Sequence, residues 1–201
     1  NAPSGFSLTE IMIATTVMGL LMTGLTAFML DVGKGMFWAT QKASISKDVR
    51  HFTMQLAAET RSANSAIIYS SFAKDDRANG GDRRDDRESG DCLVLVNTMP
   101  YPDADSPEHI TRIIVYFRRA EEGGLGPVHK LVRELTPSQY INASQTTLES
   151  ALTQIAPDDS GDFPVVVELS RGLANGRLFT NFRQGRVIVV NGEIIHGNTV
   201  K

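Results

Sequence analysis

Glu10 is the residue whose chemistry most needs an explanation. It is the sole charged side chain among the first thirty residues. The twenty residues after it, Ile11 to Leu30, carry no charge at all. A helix rising about 1.5 Å per residue covers roughly 30 Å over such a run, the thickness of a bilayer core. A carboxylate at the edge of such a segment is costly unless something pairs with it. One partner is local: a glutamate can cap a helix start, with Ser7 or Thr9 as hydrogen-bonding neighbours. The other is a positive group from elsewhere, which no nearby residue supplies.

Three acidic groups have a type and spacing that suit a hard cation such as calcium. They are Asp103 and Asp105 with Glu108, then Asp158, Asp159 and Asp162, and the acidic members of the segment from Lys74 to Asp91. None follows the twelve-residue calcium-loop pattern, so each reads as a solvated turn. His51, His109, His129 and His196 fall in different elements, and with one cysteine they give no metal-ligand spacing. No nucleophile elbow places a serine beside a base. Gly123-Gly124-Leu125-Gly126 has no following lysine and helix, so it reads as a turn and not a phosphate loop. No enzymatic site is expected, and no cofactor. A net charge of −3 gives no reason to expect nucleic acid as a partner. The single cysteine, Cys92, excludes an intrachain disulfide and is expected to be packed in a strand.

The elements that must carry Glu10 follow from the pattern. No proline occurs between Ser4 and Met99, so one long helix is expected from Phe6 to about Tyr69. Beyond Asp31 it turns amphipathic, with Phe37 or Trp38, Ile45, Val49, Phe52 and Leu56 at helical spacing and charges between them. Phe37 and Trp38 are expected to anchor at a membrane interface. Lys74 to Asp91 holds five basic and seven acidic residues and reads as an exposed, mobile loop. Strands are expected at Cys92–Val96, Ile110–Arg119, Val128–Leu135, Pro164–Leu169 and Val187–Val190, and a short helix at Thr147–Ile155. Glu121 to Pro127 reads as a turn, and Asn191-Gly192 as a tight hairpin between Val190 and Glu193. The expected fold class is α+β: a long N-terminal helix, hydrophobic then amphipathic, packed on a C-terminal antiparallel β-sheet.

The string Gly5-Phe6-Ser7-Leu8-Thr9-Glu10, followed by the uncharged run, resembles the N-terminus of type IV prepilins and pseudopilins. The resemblance implies a pilin-like fold and a cut by a prepilin peptidase between Gly5 and Phe6, with methylation of the new Phe6 amine. It implies that Glu10, fifth in the processed chain, pairs with the Phe6 amine of a neighbouring subunit during assembly. Strands ending in Tyr116-Phe117-Arg118-Arg119, the Gly-rich turn, and Lys130-Leu131-Val132-Arg133-Glu134-Leu135 resemble J-type minor pseudopilins and W-type minor pilins. The absence of a mid-helix proline also favours a minor subunit or pseudopilin over a major pilin.

The expected organisation is then a leader remnant at 1–5, a transmembrane or filament-core half-helix at 6–30 and an amphipathic half-helix at 31–70. A charged loop at 71–91 and a β-rich head at 92–201 complete it. The implied partners are other pilin or pseudopilin subunits, the prepilin peptidase, an inner-membrane assembly platform and, before assembly, the lipid bilayer. The implied location is the bacterial inner membrane as a single-pass precursor, then a periplasmic pseudopilus or an extracellular filament. A monomeric membrane-anchored binding or sensory domain is the competing class, and it predicts an unprocessed N-terminus and a dispensable Glu10.

Overall fold

The structure, a computed structural model, describes residues 7–100, 108–119, 124–142, 145–155 and 161–195. The chain divides into two units, Asn1–Ser46 and Lys47–Lys201. One helix, α1 (Leu8–Ser62), contributes to both. In the first unit it is the only described element, and its apolar side chains are exposed along the whole length from Leu8 to Trp38.

The second unit is built on a seven-stranded antiparallel sheet. Its strands are β1 (Ser65–Tyr69), β3 (Cys92–Met99), β4 (His109–Arg118), β5 (Leu125–Glu134), β7 (Val165–Gly172) and β10 (Gly192–Ile194), in the order β1-β3-β4-β5-β7-β10, with β6 (Ile141–Asn142) beside β4. A smaller sheet holds β2 (Ser89–Gly90), β8 (Phe179–Phe182) and β9 (Val187–Val190) in the order β2-β8-β9. The expected α+β arrangement is thus present.

Both faces of the large sheet are covered. Val94, Val96, Ile113, Val115 and Phe117 pack on one face with Leu148, Ala151 and Leu152 of α2 (Gln145–Ile155). Leu93, Leu95, Ile114 and Tyr116 pack on the other with Phe52 and Leu56 of α1. That explains why Cys92 to Val96 is an unbroken apolar run and does not alternate with polar residues. Phe52 and Leu56, one helical turn apart, are the buried residues of α1, and each such side chain contributes about 1.5–3 kcal/mol on leaving water. The Phe52 ring meets Tyr116 edge-on at 6.0 Å.

Four sequence expectations need correction. The amphipathic half-helix ends at Ser62, not near residue 70. Asn97 Nδ2 donates to the Ser62 carbonyl at 2.7 Å, and Asn64 N donates to Val96 O at 2.9 Å, so β3 binds the helix end and leads the chain into β1. There Ile67 and Tyr69 face one core and Ile68 the other, a period of two that the helical pattern had absorbed. Next, Leu125, Gly126 and Pro127 belong to β5 and not to the turn. Pro127 is tolerated because the register against β7 slips between Gly126 and Val128, where no ladder bond is required of it.

Third, Asn191-Gly192 is not a hairpin. β9 pairs β8 and β10 pairs β7, so Asn191 carries the chain from one sheet to the other. Gly192 lacks the positive φ that a tight hairpin turn requires. It is glycine because a Cβ there would collide with Leu178 Cδ1. The true hairpin joins Phe182 to Val187 through Arg183, Gln184 and Gly185, all at positive φ. Fourth, the charged loop at 71–91 is not simply exposed. Phe72, Arg77 and Asp91 are buried, and two 3-10 turns, Lys74–Arg77 and Gly80–Asp82, shape it.

Candidate assembly site

At the start of α1, Ser7 stands at the cap position and Glu10 three residues on. Ser7 N donates to Glu10 Oε2 at 2.9 Å, the returning arm of a capping box. Ser7 Oγ instead bonds Thr9 Oγ1. The local partner that the sequence offered for Glu10 is therefore real. Among the described residues Oε1 has no partner, so the carboxylate retains capacity for a second donor. Gly5 and Phe6, the expected processing residues, lie outside the described residues.

The surface behind Glu10 suits a medium without water. Thr16 donates to Met12 O, Thr23 to Gly19 O and Thr26 to Met22 O, each at 2.8 Å, and Thr15 donates to Ile11 O at 3.0 Å. Each hydroxyl is thus satisfied by its own helix one turn back. An apolar phase supplies no water to polar groups, so this internal satisfaction is what lets a threonine-bearing helix enter one. Glu10, Ile11, Ala14, Thr15 and Met18 line a shallow hollow. The helix is long and apolar enough to cross a membrane, and no residue of that stretch is buried.

Among the described residues of the head, four clusters of polar side chains are used internally. Glu59, near the end of α1, accepts from Tyr116 Oη at 2.5 Å and pairs with Lys130 Nζ, fastening α1 to β4 and β5. Asp91 receives Arg118 in a two-pronged pair, Nε at 2.9 Å and an Nη at 3.0 Å, with Arg177 at 3.0 Å and Leu178 N at 3.0 Å. Glu149 of α2 accepts from Tyr69 Oη at 3.0 Å and from Arg83 Nε at 2.8 Å. Arg77 lies over the Phe72 ring at 4.5 Å and donates to Phe72 O at 2.7 Å. The sequence reading missed all four clusters. A weak signal existed for Asp91: a carboxylate just before an uncharged strand, with Arg118 at the end of the next one.

Burial raises the Tyr69 and Tyr116 hydroxyls above the usual tyrosine range, and at Tyr116 the Glu59 carboxylate adds to it. Burial likewise pushes the Cys92 thiol up to about 12, from an ordinary 9.0. Only the thiolate is an effective nucleophile. Cys92 is therefore expected to resist maleimide at neutral pH in the native protein and to react promptly in denaturant. Because its folded pKa exceeds its unfolded one, the stability it contributes is complete below about pH 9 and declines above that as the unfolded thiol ionises first. Thermal melts from pH 8 to 11 with Cys92→Ala as the comparison would check this; identical alkaline decline in both proteins counts against it.

Of the calcium candidates, Asp103, Asp105, Asp158 and Asp159 lie outside the described residues. Glu108 accepts from Thr98 Oγ1 at 2.6 Å, and Asp162 is exposed. Among the described residues no three acidic, histidine or cysteine side chains gather where a metal could sit.

Residues 1–26 match the family described as the prokaryotic N-terminal methylation motif. The chain carries the type IV pilin and pseudopilin signature. The motif implies processing by a prepilin peptidase and assembly with other pilin-type subunits, and it points to a structural role. Together with the apolar helix it fits a membrane-anchored precursor. Comparison with curated proteins gives no match, and neither does comparison with solved structures.

Proposed function

We propose that this chain is a structural subunit of a type IV pilus-like filament or a type II secretion pseudopilus. The observation that carries the reading is the methylation motif set directly on an uncovered apolar helix whose hydroxyls are internally satisfied. Before assembly that helix spans the inner membrane. Cleavage after Gly5 frees the Phe6 amine, and packing of neighbouring helices then buries Glu10 against the amine of an adjacent subunit. The pair sets the axial register between subunits, and the hollow at Ala14 allows close approach of a second helix. The Pro-free helix and the likeness of the head strands to J-type and W-type subunits favour a minor subunit over a major pilin. The protein works as a component of a machine driven elsewhere.

Intact-mass analysis of the native protein tests this. The expected mass is that of a chain starting at Phe6 with one added methyl group, and Gly5→Ala is expected to retain the unprocessed N-terminus. Mature, methylated Phe6 in the Gly5→Ala protein would rule out the assigned cleavage site. Copy number in purified filaments separates a minor subunit from a major one.

A further inference from the structure

β9 uses one edge only. It pairs with β8, and among the described residues no strand occupies its other side. Asn181, opposite Ile188, turns both main-chain groups away from β9: its N–H donates to Glu88 O at 2.9 Å and its carbonyl accepts from Arg87 N at 2.7 Å. Antiparallel ladders alternate bonded and unbonded pairs. Thr180–Val189 and Phe182–Val187 are therefore the bonded pairs, a pattern continued by Asn191 N donating to Leu178 O at 2.8 Å. It follows that the N–H and C=O groups of Ile188 and Val190 point to the open edge.

Apart from its shortness, four residues, this edge lacks the usual protection. Val187-Ile188-Val189-Val190 contains no charge and no proline, the devices that commonly blunt an exposed strand. The outer margin of β1, by contrast, is covered: Arg84 N donates to Ile68 O at 2.8 Å and Tyr69 bridges Arg83. β10 is three residues long and carries Glu193. Val187 and Val190 are about two-fifths exposed, at 40% and 39%.

We infer that β9 pairs antiparallel with β9 of a second copy of this chain, about a two-fold axis through Val189. In that register Ile188 faces Val190 of the partner subunit, and the outward main-chain groups of both satisfy each other reciprocally. The charges at the strand ends select this orientation. Arg186 precedes β9 and Glu193 follows it; both are exposed, and among the described residues neither forms an ion pair. Antiparallel self-pairing brings Arg186 to the end occupied by Glu193 of the partner subunit, twice over. A parallel pair would set arginine against arginine. A contact of this symmetry closes on itself and does not propagate. The inference rests on the head alone and stands apart from the filament reading.

Site-directed cross-linking of the full chain in detergent or proteoliposomes tests it. Val189→Cys places two thiols at a close unbonded pair, and oxidation should give a disulfide dimer on a non-reducing gel. Val187→Cys should not, because its copies would lie roughly 13 Å apart along the strands, beyond the about 7 Å that a disulfide can bridge. The native Cys92 is buried, so the unmodified chain is the blank. Glu193→Arg or Arg186→Glu alone should each lower the Val189→Cys dimer yield by roughly tenfold, the size of the two exposed ion pairs each removes, and the two together should restore it. Val190→Pro, which removes an outward N–H without touching the β8 ladder, should abolish the dimer while leaving the thermal melt of the head largely unchanged. Absence of the Val189→Cys dimer, equal dimer from Val187→Cys, or a Val189→Cys adduct with a different protein would each overturn the pairing.

Discussion

Glu10→Ala is expected to leave membrane insertion intact and to remove the chain from filaments. Insertion depends on the twenty uncharged residues after Glu10, which the substitution does not touch. In the proposed assembly Glu10 is one half of a buried pair. When the Phe6 amine of one subunit is enclosed among apolar helices, loss of its carboxylate leaves an uncompensated charge, at a cost of about 3–5 kcal/mol. That corresponds to a factor of roughly 10²–10⁴ in incorporation, since each 1.4 kcal/mol is tenfold. Loss of the Ser7 N–H cap bond is a separate and smaller effect, of about 1 kcal/mol on a helix end exposed to solvent. The two roles of Glu10 are thus separable by magnitude. Glu10→Gln keeps an acceptor for Ser7 N but no charge for the amine. It is expected to preserve the helix start and still fail to assemble. The measurement is the ratio of the variant in sheared filaments to that in the membrane fraction, against the unmodified chain. Normal incorporation of Glu10→Gln would reduce the glutamate to a helix cap.

The second large effect is predicted for the head. Asp91→Ala should lower its stability by about 3–5 kcal/mol, the cost of breaking a buried ion pair from one side. Asp91 and Arg118 are each 1% exposed at the side chain and share two hydrogen bonds, so the guanidinium left behind would keep only the neutral carbonyls of Gly124 and Gly176 as partners. Arg177, at 39%, can turn outward and suffers less. The same carboxylate also holds Leu178 N, at the entrance to β8. For a unit of this size the melting temperature should fall by roughly 6–20 °C. Glu134→Ala is the contrasting variant. Its pair with Arg112 spans 3.5 Å at side-chain exposures of 76% and 36%, and its loss should change stability by at most about 1 kcal/mol. Similar losses in the two variants, read from urea or thermal melts, would show that burial does not govern the Asp91 cluster.

Much of this protein could be read from the residues in order. The apolar helix, the strands at Cys92, Ile110, Val128, Pro164 and Val187, and the helix near Leu148 all appear close to where their patterns place them. Each pattern is local: a period of two or near four reports which face of an element is to be buried, whatever buries it. The errors fall where a local signal had two outcomes. Ala66-Ile67-Ile68-Tyr69 fits either a helix end or a strand, and β3 decided it by pairing with all of them. Asn191-Gly192 has the composition of a tight turn, yet the position of Leu178 gives Gly192 a different duty.

The candidate site divides along the same line. The methylation motif, Glu10 and the uncharged run are contiguous, so their chemistry was determined by the sequence alone. The function proposed for them is to meet other chains. The Asp91–Arg118 pair, the Glu59 lock and the open edge of β9 bring together residues separated by up to about seventy positions, or depend on what fails to pair with them. Only the tertiary structure decided these, because a buried charge is defined by its neighbours in space, and no periodicity along the chain records who those neighbours will be.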